Sequence, residues 1–271
     1  MKKPTTISIT TQKGGVGKTS TVCAIASVFA NNGYKVGVID VDSQSNSTYL
    51  LGKPPYQKHQ TIEAILDPNF EQPVSTLFAT SKVHRNVQVL PSRIDAAIAW
   101  GRLQGSQEFG GNLGGILQIQ LQRDKATIGK MFDLLLIDSP PDIDIPMING
   151  LSAADYAIVP MKSGDRFSLD GWASLKRTIQ GVSRYTNPEL QVMGILITMH
   201  DPRFNVCREN FEAIHDKFGK EKVYVFDTYI SNSVEVMTTQ AKGKPIVVGS
   251  PKHKVSLQYS ALTSEITKIL G

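Results

Sequence analysis

Cysteine is almost absent: Cys23 and Cys207 are the only two in 271 residues. Two thiols so far apart make neither a disulfide framework nor a metal-ligand spacing, so a stapled secreted scaffold and a cysteine metal knuckle are both excluded. Long apolar runs are missing as well. No stretch approaches the ~18 residues that span a bilayer, and Met1-Lys2-Lys3-Pro4 leads into a strand without the apolar core of a signal peptide. The expectation is a cytoplasmic protein with no membrane association. Charge of one sign is also scarce: 29 Lys+Arg against 24 Asp+Glu leave +5. That excess permits contact with nucleic acid without demanding it. The histidines His59, His84, His200 and His215 have no metal-ligand spacing. There is no internal repeat and no low-complexity block.

What the chain does have is alternation. Strand-length apolar runs (Ile7 to Thr11, Lys35 to Val41, Asn86 to Pro91, Phe132 to Asp138, Tyr156 to Pro160, Val192 to Ile197, Val223 to Phe226) are interleaved with helix-length segments. The helices expected are Val16 to Asn31, a short one from Thr61 to Leu66, Leu169 to Tyr185, Asn205 to Phe218 and Val255 to Leu270. Polar Asp42 to Thr48 follows the second strand, Pro54-Pro55 reads as loop, and the glycine-rich Gly101 to Gly115 as a mobile loop between two helices. Strands that are apolar on both faces, alternating with helices, specify an α/β fold: a doubly wound, mostly parallel sheet with helices on both faces and ligands at the carboxyl ends of its strands. A chain of this length fits a single domain, residues 1–271.

One stretch carries chemistry. Thr10-Thr11-Gln12-Lys13-Gly14-Gly15-Val16-Gly17-Lys18-Thr19-Ser20 lies between a strand and a helix, the setting of a phosphate-binding loop. Its glycines let backbone N–H groups turn onto an anion, and the helix N-terminus adds about half a positive charge. Lys18 reaches the β- and γ-phosphates in this reading, and the Thr19 hydroxyl binds Mg²⁺. The loop departs from G-x-x-x-x-G-K-[ST]: Gln12 stands where the first glycine belongs, and a second lysine, Lys13, follows it. Two acidic clusters end strands, Asp40-Val41-Asp42-Ser43-Gln44 and Asp138-Ser139-Pro140-Pro141-Asp142. Asp138, after four apolar residues, is the candidate acid that holds Mg²⁺ through water.

The loop with its extra Lys13, together with the two acidic clusters, resembles the three nucleotide motifs of the ParA/MinD family of deviant Walker P-loop ATPases. Thr198-Met199-His200-Asp201-Pro202-Arg203, Ile230 to Val234 and Gly243-Lys244-Pro245-Ile246 are similar to later ParA elements, so the likeness spans the chain in order. It favours the short ParA/Soj type, since no helix-turn-helix segment precedes the loop. The resemblance implies that Gly14, Gly15, Val16, Gly17, Lys18, Thr19 and Ser20 bind ATP, with Thr198 and Met199 near the base. Lys13 is then the signature lysine that reaches the partner's phosphates across an ATP-dependent homodimer, and Gly14 lies at the close dimer contact. Asp42 orients or activates the attacking water, and Asp40 assists with Mg²⁺. The implied function is DNA partition: the ATP dimer coats double-stranded DNA non-specifically, associates with the nucleoid, and hydrolyses ATP slowly until a ParB-like centromere-binding protein stimulates it.

Two departures bear on that picture. Ser43 replaces the family's proline, and Ile230-Ser231-Asn232-Ser233-Val234-Glu235 lacks both arginines of Ile-Pro-Arg-Asn-Val-Arg. Arg203, Lys242, Lys244, Lys252 and Lys254 are the basic residues left to contact DNA phosphates without reading sequence. The alternatives are a non-DNA cargo, a MinD-like membrane ATPase, and a metabolic ligase or reductase. The first stays open. The second needs a basic amphipathic last helix, whereas Val255 to Leu270 has the spacing of a core helix. The reductase needs cluster-binding cysteines, and for the ligase no substrate pocket is identifiable in the sequence.

Overall fold

The strand Leu134–Asp138 lies at the centre of a seven-stranded sheet because all five of its residues are buried on both faces. The structure is a computed structural model that describes residues 3–103, 112–164 and 167–271. In chain order its strands are β1 (Thr5–Ile9), β2 (Val36–Asp40), β3 (Ala79–Thr80), β4 (Val87–Leu90), β5 (Leu134–Asp138), β6 (Tyr156–Lys162) and β7 (Gln191–Thr198). The helices are α1 (Lys18–Asn31), α2 (Asn46–Leu51), α3 (Ala96–Leu103), α4 (Ile116–Arg123), α5 (Lys125–Met131), α6 (Ile145–Ser152), α7 (Phe167–Tyr185), α8 (Asn205–Lys220), α9 (Val234–Ala241), α10 (Ile246–Gly249) and α11 (Lys254–Leu270).

The sheet order is β3-β4-β2-β5-β1-β6-β7. Every pairing is parallel except that of the two-residue β3 with β4. The chain starts in the middle, winds outward through β2 and β4, returns to place β5 beside β1, and then winds the other way. Crossovers therefore leave β1 in opposite directions, which opens a crevice at the carboxyl ends of β1, β2 and β5.

Side-chain alternation splits the core into layers. Leu134 and Leu136 face the layer built by α1, α10 and α11, whereas Leu135 and Ile137 face α3, α4 and α5. A third cluster joins β6 and β7 to α6, α7 and α8 through Met147, Trp172, Ile195 and Phe218. Each such large apolar side chain contributes roughly 1.5–3 kcal/mol on full burial. α11 places Val255, Tyr259, Leu262 and Ile266 against the sheet, so its apolar stripe is spent on the core. Burial pushes the Tyr259 phenol up to about 12.

Several elements differ from the sequence expectation. α1 begins at Lys18 because Gly17 adopts the left-handed region at φ 87° and caps it. The polar stretch after β2 contains α2. The segment Thr61 to Leu66 is a 3₁₀ turn over Ile62–Leu66. Val223 to Phe226 is not a strand: only Val225 bridges Ile195, since the chain turns away after Phe226. Of the stretch Gly101 to Gly115, α3 extends to Leu103 and a 3₁₀ turn occupies Leu113–Gly115; positions 104–111 lie outside the described residues. Among the described residues, no helix is long and apolar enough to cross a membrane.

Candidate functional site

The phosphate loop joins the end of β1 to α1 across the crevice. Gly15 and Gly17 hold φ 69° and 87°, a conformation that turns backbone N–H groups inward and that side-chain-bearing residues resist. Gly14 and Gly15 are exposed, and a Cβ added at either meets nothing within 4 Å. Lys13 beside them is half-buried. The Lys18 ammonium is buried and donates to the Lys13 carbonyl at 3.0 Å, folding back over the loop. Burial lowers the Lys18 pKa, while the charges of Asp138, Asp42 and Asp142 act to raise it. The loop is tied to β7 by the Thr198 hydroxyl, which donates to the Val16 carbonyl at 2.9 Å. Met199, next to it, is half-buried with φ 51°. Ser20 accepts a hydrogen bond of 2.8 Å from the Gln240 amide of α9.

Sheet register brings the acids together. Asp40 and Asp138 are lateral neighbours on β2 and β5, and both are fully buried. Neither Asp138 oxygen has a well-formed hydrogen bond, although both are sealed from solvent. Burial raises the Asp138 carboxyl well above the usual range and the Asp40 charge adds to this; the nearby Thr19 hydroxyl and Lys18 oppose it. Two orphaned carboxylate oxygens beside a threonine hydroxyl and a lysine fit a divalent cation carried in with a phosphate. Asp40 differs. Its Oδ2 accepts from the Thr48 amide at 2.9 Å and the Thr48 hydroxyl at 2.7 Å, and its Oδ1 from the Asp42 amide at 3.2 Å. Burial still pushes it up to about 6, against those hydrogen bonds.

Asp42 is 7% exposed and lines a cavity of about 400 Å³ with Ser43, Gln44, Trp100, Pro141 and Asp142. Its Oδ1 accepts from the Gln44 amide at 2.9 Å and its carbonyl from the Ser45 amide at 3.0 Å. The Asp42 side chain thus holds the turn that Ser43, lacking a proline ring, does not stiffen. The structure therefore unites the loop, Lys18, Asp40, Asp42, Asp138 and Thr198 at one sheet edge. It also adds two residues that sequence reasoning passed over, Thr48 and Gln240; both are polar residues without motif context, recognisable only by their partners.

The basic residues are arranged otherwise. The Arg203 guanidinium is clasped by Asp201 through bonds of 2.9 and 2.7 Å. The hydrogen bonds from Arg203 hold the Asp201 carboxyl down at about 2. Lys242, Lys244, Lys252 and Lys254 are all exposed, on the segments that bracket α10. Nearby on α9, Val234 and Met237 are 71% and 64% exposed. His200 is buried, with its Nδ1 3.1 Å from the Ser163 hydroxyl and its ring against Phe211 and Tyr229, a packing role. Both cysteines are buried and unbridged.

The AAA domain family AAA_31 matches residues 4–192. The sporulation initiation inhibitor protein Soj of Bacillus subtilis is 30% identical over 96% of this chain and 97% of its own. The chromosome partitioning protein ParA of Myxococcus xanthus is 31% identical over 97% of this chain and 87% of its own. Among solved structures, the cobyrinic acid a,c-diamide synthase of Mycobacterium smegmatis with bound ADP and magnesium superposes with a TM-score of 0.79 at 25% identity, over 98% of this chain and 94% of its own. The glycine loop, the paired strand-end acids and this full-length kinship agree: the chain belongs to the AAA_31 family and is a P-loop ATPase of the ParA/Soj type within the deviant Walker group.

Proposed function

We propose that this Mg²⁺-dependent ATPase is a DNA-partition switch, in which ATP joins two chains into a dimer that binds DNA non-specifically and releases it after hydrolysis. The observation that supports it best is the loop itself: Gly14 and Gly15 lie open at the surface beside Lys13, so a second chain meets no side-chain barrier there. A cation supplied in trans offsets phosphate charge and makes association depend on the triphosphate. Lys18 and the loop amides hold the β- and γ-phosphates. Thr19 and Asp138 would hold Mg²⁺, which would supply positive charge to offset that of the phosphates. Asp42, facing the cavity, orients the attacking water. Turnover is slow in the isolated protein, and a ParB-like centromere-binding partner accelerates it. The exposed Lys242, Lys244, Lys252 and Lys254 supply sequence-independent phosphate contacts, and the complex is nucleoid-associated in the cytoplasm.

DNA retardation with ATP, ADP and no nucleotide tests the switch. Binding that requires ATP and weakens steeply with salt is the expected result; equal retardation in all three states sinks it. A second reading keeps the ATPase and replaces DNA by a protein cargo. It is favoured by the exposed Val234 and Met237 on the segment whose family arginines are replaced by Asn232 and Glu235. ATP-dependent dimerisation without any DNA retardation selects it.

A further inference from the structure

We propose that Thr48 is a positioning residue for ATP hydrolysis, holding Asp42 in place through the carboxylate of Asp40. The inference rests on the assignment of Asp42 to the attacking water. Four groups form one buried chain of hydrogen bonds. The Ser92 amide, just past β4, donates to Thr48 Oγ1 at 2.9 Å. Thr48 Oγ1 donates its only hydrogen to Asp40 Oδ2 at 2.7 Å. Asp40 Oδ1 receives the Asp42 amide at 3.2 Å. An amide only donates and an ionised carboxylate only accepts, so the Thr48 hydroxyl has one possible direction.

The two side chains in that chain are sealed, Asp40 at 0% and Thr48 at 3% exposed. Water cannot substitute for a lost partner, so the geometry is held rather than averaged. The same carboxylate also caps α2. The residue that precedes this helix, Ser45, is left-handed at φ 56° and makes no side-chain cap, and the Thr48 amide of the first turn turns to Asp40 Oδ2 instead, at 2.9 Å. Asp40 thus fastens both ends of the segment that carries Asp42: the Asp42 amide at one end and the first turn of α2 at the other. With both oxygens committed to three donors, Asp40 is a scaffold for Asp42, and the cation is left to Asp138, whose oxygens have no well-formed hydrogen bond.

The test compares Thr48→Val, Thr48→Ser, Asp42→Ala and the Thr48→Val/Asp42→Ala double variant in the full chain. Single-turnover ATP hydrolysis, equilibrium binding of a fluorescent ATP analogue and Mg²⁺ titration are measured for each. Thr48→Val is expected to slow hydrolysis roughly tenfold to a hundredfold, the range for a lost outer-layer hydrogen bond. Nucleotide affinity and the Mg²⁺ requirement stay within about twofold, because the ground state is untouched. Thr48→Ser recovers most of the rate, and the double variant is no slower than Asp42→Ala. A Thr48→Val protein at full speed overturns the inference while Asp42→Ala, if slow, leaves the parent assignment standing. Loss of nucleotide binding or of Mg²⁺ affinity in Thr48→Val, failure of serine to rescue, or a further loss in the double variant overturns it too. Wild-type turnover in Asp42→Ala removes both.

Discussion

Replacing Asp138 by asparagine should stabilise the nucleotide-free protein while removing its response to Mg²⁺. Asp138 is fully buried beside the equally buried Asp40, and neither of its oxygens has a well-formed partner. A buried polar group left unpaired costs about 1–3 kcal/mol, and a like charge beside it adds to that cost. Asparagine keeps the shape and deletes the charge, so a gain of about 1–2 kcal/mol is expected. Unfolding entropy near 2.1 cal/mol/K per residue comes to about 0.6 kcal/mol/K for this chain, so Tm should rise by roughly 2–4 °C. Differential scanning fluorimetry without nucleotide measures that rise. In scans with ADP, adding Mg²⁺ should raise Tm further in the wild type, because tighter binding to the folded state stabilises it, and should add almost nothing in the variant. A lower Tm in nucleotide-free Asp138→Asn means the carboxylate is structural. An undiminished Mg²⁺-dependent shift means the cation is held elsewhere. Either result refutes the reasoning.

Three further outcomes follow from the same site. Lys18→Ala removes a buried ammonium aimed along the loop, and ATP affinity measured by calorimetry should fall roughly 10- to 100-fold, the value of a charge-assisted hydrogen bond. Lys13→Ala should leave nucleotide binding nearly intact and abolish ATP-dependent dimerisation in light scattering; a stable ATP dimer of this variant contradicts the trans role. Asp40, pushed up to about 6 by burial against an unfolded value near 3.9, binds more protons folded than unfolded between about pH 4 and 6. Its contribution to stability therefore falls as pH rises through that window, and Asp40→Asn should flatten the slope of Tm against pH in the metal-free protein.

The phosphate loop was legible because its signal is local. Strand, glycines, Lys18 and helix are contiguous, and Gly15 and Gly17 hold positive φ values that side-chain-bearing residues resist. β5 was legible for the same reason, its five apolar or strand-end residues being consecutive. Val223 to Phe226 misled because its composition suits a strand, yet strand formation depends on continued pairing with β7, which only Val225 achieves. α2 was hidden because its cap is not the preceding residue but Asp40, eight residues back from Thr48.

By itself, the sequence determined that this chain binds a nucleoside triphosphate on an α/β scaffold and carries an additional loop lysine. Those properties reside in short runs whose backbone conformation is set by neighbours in the chain. The tertiary structure alone decided which strand ends meet. β2 and β5 are far apart in sequence, yet their register sets Asp40 beside Asp138, leaves one carboxylate satisfied by Thr48 and Asp42, and leaves the other without a well-formed hydrogen bond. Chemically identical side chains acquire different tasks there because hydrogen-bond supply in a buried site is a matter of geometry, and sheet register is settled only when the whole core packs.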